Sequence, residues 1–364
     1  MLVVLMYDGA SRSGKQPLAT VSSIPRHLQD PFSQEPSLQP SLPNAARMPV
    51  WIRQNLGRER HYPGTAAAVH GHGLHTVCEE ARCPNRGECW SRGTATFMLL
   101  GDTCTRACAF CSVKSGRPTW NDAGEPRRVA QACLDLGLSF VVLTSVNRDD
   151  LDDGGAGCFA ETLRQLRLGK PDMGVEFLTP DFRNVQGQAA DLFNATLASL
   201  PDSRRHDLIW GHNMETVPRL YKEARKGARY ERSLDLLALA ARQPNMEAKS
   251  ALMLGLGETR EEVLAVMSDL RQAGVQRLSL GQYLRPTLDN LPVVRYVPPE
   301  EFTDYENEAR RLGFSWVKAG PLVRSSYFAE EDQGEKGKGK RETQIQPAVL
   351  STFPVSRFPF PDKD

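Results

Sequence analysis

The chain has 364 residues, 40% of them hydrophobic and 24% charged, which is enough apolar material for one large domain or two medium ones with a proper core. Its 45 basic and 44 acidic side chains leave a formal net charge of +1, so binding to nucleic acid through bulk charge is excluded. No apolar run approaches the roughly 18 residues of a membrane span, and the chain reads as soluble, with no membrane and no nucleic acid among its partners.

Residues 1–47 differ from the rest. They are rich in Ser, Pro and Gln with little periodicity, which predicts poor order. The apolar start at Met1 to Met6 has no basic segment before it, against a secretory signal. A mitochondrial leader should be rich in Arg and poor in acids, but Asp8, Asp30 and Glu35 interrupt this one, and translation from Met48 is the plainer alternative. Residues 1–47 therefore read as a disordered or leader-like segment of a cytoplasmic protein, the alternative being mitochondrial.

From residue 48 onward short apolar runs alternate with amphipathic stretches. The runs at 97–100, 140–144, 175–178, 208–210, 251–254 and 277–280 predict strands, with an extra one at 314–318. Helices are predicted at 125–136, 233–242, 260–273 and 299–312; the third carries Val263, Leu264, Val266, Met267 and Leu270 near a 3.6-residue period. The alternation implies a parallel sheet with helices outside, and in such folds ligands sit at the carboxyl ends of the strands. Those ends carry Cys104, then Ser145 through Asp150, Thr179-Pro180-Asp181, His212-Asn213, Gly255-Leu256-Gly257-Glu258 and Gln282-Tyr283. Beyond residue 328 the charge–glycine and proline-spotted sequence reads as a solvated tail, 329–364.

Six of the eight cysteines fall between Cys78 and Cys111, a clustering that favours metal or cluster ligation over disulfides in a reducing compartment. Cys104-Thr-Arg-Ala-Cys108-Ala-Phe-Cys111 has C-x3-C-x2-C spacing on the loop after the first strand. Zinc sites more usually pair C-x2-C units or add histidines. Three thiolates within eight residues can hold three corners of a 4Fe–4S cube and leave one iron open to a small chelating molecule. Cys78, Cys83 and Cys89 form a second triplet, C-x4-C-x5-C, with no fourth cysteine close by; by itself it reads as a second metal or cluster site whose ligand set is incomplete. Cys133 lies in a predicted amphipathic helix and reads as core, and Cys158 has no ligand spacing to either triplet.

Taken together, HTVCEEARCPN (residues 75–85), the C-x3-C-x2-C loop, VVLTSVNRDD (141–150), Asn213-Met-Glu-Thr-Val217, KSALMLGLGE (249–258) and GPLVRSSY (320–327) resemble the lipoyl synthase family of the radical S-adenosylmethionine (SAM) superfamily over about residues 48 to 328. The resemblance implies an α/β fold: a partial (β/α)6-type TIM-like barrel at 94–328 with the serine motif at its C-terminal end, and an N-terminal extension at 48–93 for an auxiliary cluster. It implies two 4Fe–4S clusters and SAM as cofactors. Cys104, Cys108 and Cys111 would hold the SAM cluster; Cys78, Cys83, Cys89 and Ser326 (Ser325 as fallback) would hold the auxiliary one. Phe110 would lie near the adenine. Asn147, Arg148, Asp149, Gly255, Gly257 and Glu258 are candidate SAM contacts.

The implied activity is insertion of two sulfur atoms at C6 and C8 of an octanoyl group on a carrier-protein lysine. The implied partners are octanoylated lipoyl domains or glycine-cleavage H protein, a flavodoxin or ferredoxin reductant and an iron–sulfur carrier protein. Ala251 and Asp152 depart from the family's usual glycine and proline, and residues 186–205 look long, which would reshape a rim loop. Competing readings are another two-cluster sulfur inserter of the biotin-synthase type, an iron–sulfur electron-transfer or carrier protein, and a zinc-stabilised interaction module.

Overall fold

Short apolar strands buried on both faces pair in parallel, because each run is covered by helices on one side and by the interior of a curved sheet on the other. In the computed structural model the described residues are 48–53, 71, 74–80, 83, 85–91, 94–119, 121–200 and 208–330. All belong to the unit Ala45–Asp364; the readings made of 1–47, 201–205 and 331–364 lie outside them. In chain order the strands are β1 (His75–Thr76), β2 (Thr94–Leu99), β3 (Thr103–Cys104), β4 (Lys114–Ser115), β5 (Phe140–Ser145), β6 (Gly174–Leu178), β7 (Leu208–Gly211), β8 (Met246–Leu254), β9 (Arg277–Gln282) and β10 (Trp316–Gly320). The main sheet runs β1-β2-β5-β6-β7-β8-β9-β10. β1 is antiparallel to β2 and every other pairing is parallel. Six strands match the expected (β/α)6 set, and β10 adds a seventh parallel one.

Side chains alternate across this sheet. Phe177 and Trp210 face outward to Phe159 and Phe193 of the helices Ala156–Gly169 and Gln186–Ser199, with ring centroids at 5.3 Å (Phe159–Phe177), 4.9 Å (Phe177–Phe193) and 5.0 Å (Phe193–Trp210), all edge to face. Each such pair contributes about 0.5–1.5 kcal/mol beyond its burial. The neighbouring residues point inward. There Phe140, Val142 and Ile209 form a second cluster around Ala329, with Leu178 against it. Inward too are Glu176 and Lys249, fully buried and paired at 2.6 Å.

Two expectations change. Residues 186–199 form a helix with Ala189, Ala190, Phe193 and Leu197 buried, so this stretch is an outer crossover between β6 and β7 and not a rim loop. β8 starts five residues earlier than the run at 251–254, because Lys249 is charged yet internal, and composition hid the first half of the strand. Ala329 is 1% exposed and packs inside the sheet. Among the described residues no helix is long and apolar enough to cross a membrane.

Candidate functional site

The C-x3-C-x2-C loop leaves the end of β2 and is fixed by hydrogen bonds along its length. β3 and β4 pair in parallel to bracket it. The Ala109 N–H donates to Ala224 O at 2.9 Å, and Ala109 O accepts from the Leu291 N–H at 2.9 Å. Asn290 Nδ2 donates to Cys111 O at 2.9 Å. Cys104 Sγ accepts from the N–H groups of Arg106 (3.4 Å) and Asn147 (3.3 Å), and Cys111 Sγ accepts from the Val113 N–H at 3.5 Å. Inside the motif, Arg106 donates two bonds to Asp149 (2.8 and 2.7 Å) and two to Asp181 (2.8 and 2.7 Å). This guanidinium clamps the cysteine loop to the ends of β5 and β6 and, against the opposing effect of burial, holds both carboxyls below the usual carboxylate range. Burial pushes the Cys108 thiol up to about 11, with the buried Arg225 guanidinium pulling the other way.

The other triplet is gathered by two short helices, Val77–Glu80 and Arg86–Ser91. The Cys83 N–H donates to Cys78 O at 3.1 Å and the Cys89 N–H to Asn85 O at 2.9 Å, closing the turn that brings the thiols together. Cys78, Cys83 and Cys89 line one pocket with Thr94 and Thr96 of β2 and with Arg324 and Ser326 of the C-terminal segment. Ser325, the fallback, is not among its lining residues. The pocket lies against the inner face of β2, not out on the rim with the other polar loops. Burial, and then the neighbouring Cys83, push Cys78 up to about 11; burial likewise raises Cys89, with Cys83 and Cys78 adding to it.

Residues 98–270 match the radical SAM superfamily. The chain is 48% identical over 311 residues to the lipoyl synthase of Symbiobacterium thermophilum, covering 84% of this chain and 94% of that protein. It is 50% identical over 293 residues to the lipoyl synthase of Methylococcus capsulatus, covering 80% and 88%. The chain belongs to the lipoyl synthase family. Among solved structures, methylornithine synthase superposes with a TM-score of 0.45 at 10% identity, over 70% of this chain and 77% of that one.

Membership of the lipoyl synthase family brings SAM and iron–sulfur chemistry, and the residues present fit the iron–sulfur part. Three thiols and one hydroxyl converge on a single pocket, where Thr94 Oγ1 is buried with no hydrogen-bond partner; soft sulfur with one oxygen is an iron–sulfur donor set. Among the described residues no three His, Cys, Asp or Glu side chains form a group that could hold a metal ion. A cube, by contrast, spreads its ligands over separate irons.

Several candidate SAM contacts also bond within the protein. Both carboxylate oxygens of Asp149 are taken by Arg106. Arg148 is 3% exposed and paired with Asp150 at 2.9 Å. The Glu258 carboxylate accepts from the N–H groups of Gly255 (2.5 Å) and Leu256 (2.9 Å), closing its own turn. At Gly255, φ is +101°, and an added Cβ would meet Gln282 Nε2 at 2.2 Å and Arg295 O at 2.4 Å, so the close approach that requires glycine is to protein. Gly257, at φ +110°, faces Val294. Asn147 stays at the cysteine loop, its O accepting from the Thr105 N–H at 3.0 Å. Phe110 is half-buried and packs on the main core. His212 is structural: its Nδ1–H donates to Thr179 O (2.9 Å) and its Nε2 accepts from Ser233 Oγ (3.1 Å). Of the unpaired cysteines, Cys133 is core, as expected, and the Cys158 thiol donates to Glu125 at 3.6 Å.

Sequence reasoning passed over three residues beside the cysteine loop. Arg106 sits within the motif, but nothing in the spacing marks its partners. Glu215 is half-buried at φ +66°, and Arg225, which is buried, bonds Asn213 O (3.0 Å) and Tyr221 Oη (2.9 Å). The signal the sequence carries for Glu215 is the Asn213–Val217 motif, which marks a family resemblance and no particular chemistry.

Proposed function

We propose that this chain inserts two sulfur atoms, at C6 and C8, into an octanoyl chain amide-linked to a lysine of a carrier domain. The observation that carries the reading is the meeting of Cys78, Cys83, Cys89 and Ser326 in one pocket, apart from the C-x3-C-x2-C loop. The target carbons are unactivated, so no side chain has a pKa matched to removing their hydrogens, and the hard chemistry belongs to cofactors that the protein positions. When bound, SAM and the cluster on Cys104, Cys108 and Cys111 supply a 5′-deoxyadenosyl radical, and the cluster on Cys78, Cys83, Cys89 and Ser326 supplies the sulfur.

The protein's own part is placement. Arg106 locks the first loop to the strand ends, and the segment carrying Asn290 and Leu291 holds it from the other side. Ser326 offers a hard oxygen, which holds iron less firmly than thiolate does and suits a cluster that must give up sulfide. The reading extends to an octanoylated lipoyl domain or glycine-cleavage H protein as substrate, a flavodoxin or ferredoxin as reductant, an iron–sulfur carrier for renewal, and a cytoplasmic setting.

The test is anaerobic reconstitution followed by assay on an octanoylated lipoyl-domain peptide. About eight irons and eight sulfides per chain, two cubes' worth, with sulfur insertion, are expected. About four irons, or zinc without iron, would defeat the reading. Ser326→Cys should retain both clusters yet depress sulfur insertion; full activity in that variant would remove serine's proposed advantage.

A further inference from the structure

Three thiols arrive on one segment and Ser326 arrives on another, yet the pocket needs them in register. Among the described residues, hydrogen bonds from Asn85 and to Glu88, both in the five-residue spacer between Cys83 and Cys89, fasten the segments to each other. Asn85, 5% exposed, donates from Nδ2 to Leu322 O at 2.6 Å. Tyr327 Oη donates to the Glu88 carboxylate at 3.1 and 3.2 Å. Leu322 and Tyr327 bracket Ser326 on either side. Asn85 also accepts the Cys89 N–H through its backbone oxygen, so a single residue sets both a thiol and the serine segment. The far end of that segment is seated in the sheet, where Ala329 fills the socket of Phe140, Val142 and Ile209.

We propose that Asn85 and Glu88 are positioning residues that staple the segment of residues 322–327 over the triplet and hold the Ser326 hydroxyl at the pocket. The staple thereby governs how readily the serine-held iron leaves. The C-x4-C-x5-C spacer is then a second recognition element and not just a linker between ligands. The inference rests on the ligand roles proposed above and adds the residues that enforce them.

The test uses the full chain with Cys104, Cys108 and Cys111 replaced by alanine, so that any cube sits on the triplet. Release of iron to a ferrous chelator is followed in time, and hydrogen exchange of the segment's amides is measured on the apoprotein. In Asn85→Ala about one quarter of the cube's iron should leave about tenfold faster, the scale of one lost hydrogen bond of a buried group; in Glu88→Ala and Tyr327→Phe, whose contact is exposed, it should leave about threefold faster. Apo segment amides should exchange faster by a similar factor. Glu88→Gln, whose amide oxygen still accepts from Tyr327, should restore most of the parent rate, and Glu88→Ala/Tyr327→Phe should be no faster than either single variant. Unchanged iron release and exchange in all three single variants, or additive effects in the double, would overturn the staple. A parent chain that binds no iron on the intact triplet would instead defeat the ligand assignment, and the staple with it.

Discussion

Arg106→Met tests whether the cysteine loop is held by electrostatics or merely by its backbone. The guanidinium makes four charge-assisted hydrogen bonds, two to Asp149, whose side chain is 25% exposed, and two to Asp181, whose side chain is 0% exposed. Water can replace the pair with Asp149, so its loss costs about 0–1 kcal/mol. Asp181 Oδ2 keeps Arg232 at 2.8 Å, but Oδ1 loses its Arg106 donor in a buried site, at about 1–3 kcal/mol. The sum is about 1–4 kcal/mol of folding stability, measurable by urea unfolding of the apoprotein.

The loss has a definite pH dependence. Both carboxyls sit below their ordinary values because of Arg106, so the stabilisation is complete above the unfolded carboxylate pKa of about 3.9. It fades as the pH falls toward the folded values. Wild type and variant should therefore differ most near neutrality and converge in acid. With the other triplet replaced by alanine, the variant should also load iron poorly on Cys104, Cys108 and Cys111. A variant within about 0.5 kcal/mol of wild type that loads iron normally would refute the clamp.

His212 is pushed down to about 4 by burial and by Arg225. Its folded value lies below the unfolded one of about 6.5, so it adds stability above pH ~6.5 that is lost as pH falls toward 4. His212→Gln should flatten the stability–pH curve in that window, and an unchanged slope would contradict the neutral buried assignment. Lys249→Met strands Glu176 without its partner and should cost about 3–5 kcal/mol by urea unfolding, while Lys249→Met/Glu176→Leu should cost less than the single change. Gly281→Ala would place a Cβ 2.0 Å from Val323 O. It should push the serine segment off the sheet and lower iron on the Cys78 triplet while sparing the Cys104 loop, as read by iron counts in the two single-site backgrounds.

What was legible in the sequence was whatever local spacing encodes. The alternation of buried runs with amphipathic stretches specified a parallel α/β sheet, since period 2 and period 3.6 leave different marks. Both cysteine triplets were visible because their ligands lie close together in the chain. The Gln186–Ser199 helix is not among the elements expected from the sequence, although its buried Ala189, Ala190, Phe193 and Leu197 fall at helical spacing.

Only the tertiary structure could decide which polar groups are spent on the protein itself. Arg106 and Asp181 are 75 residues apart, Lys249 and Glu176 are 73 apart, and Tyr327 and Glu88 are 239 apart. No local pattern marks such partners. A charged side chain reads as surface until a counter-charge from a distant strand makes its burial tolerable. The lining of the pocket is of the same kind: the resemblance pointed to Ser326 with Ser325 as fallback, and only the path of the final segment across the sheet brings Ser326 to the pocket of the three thiols.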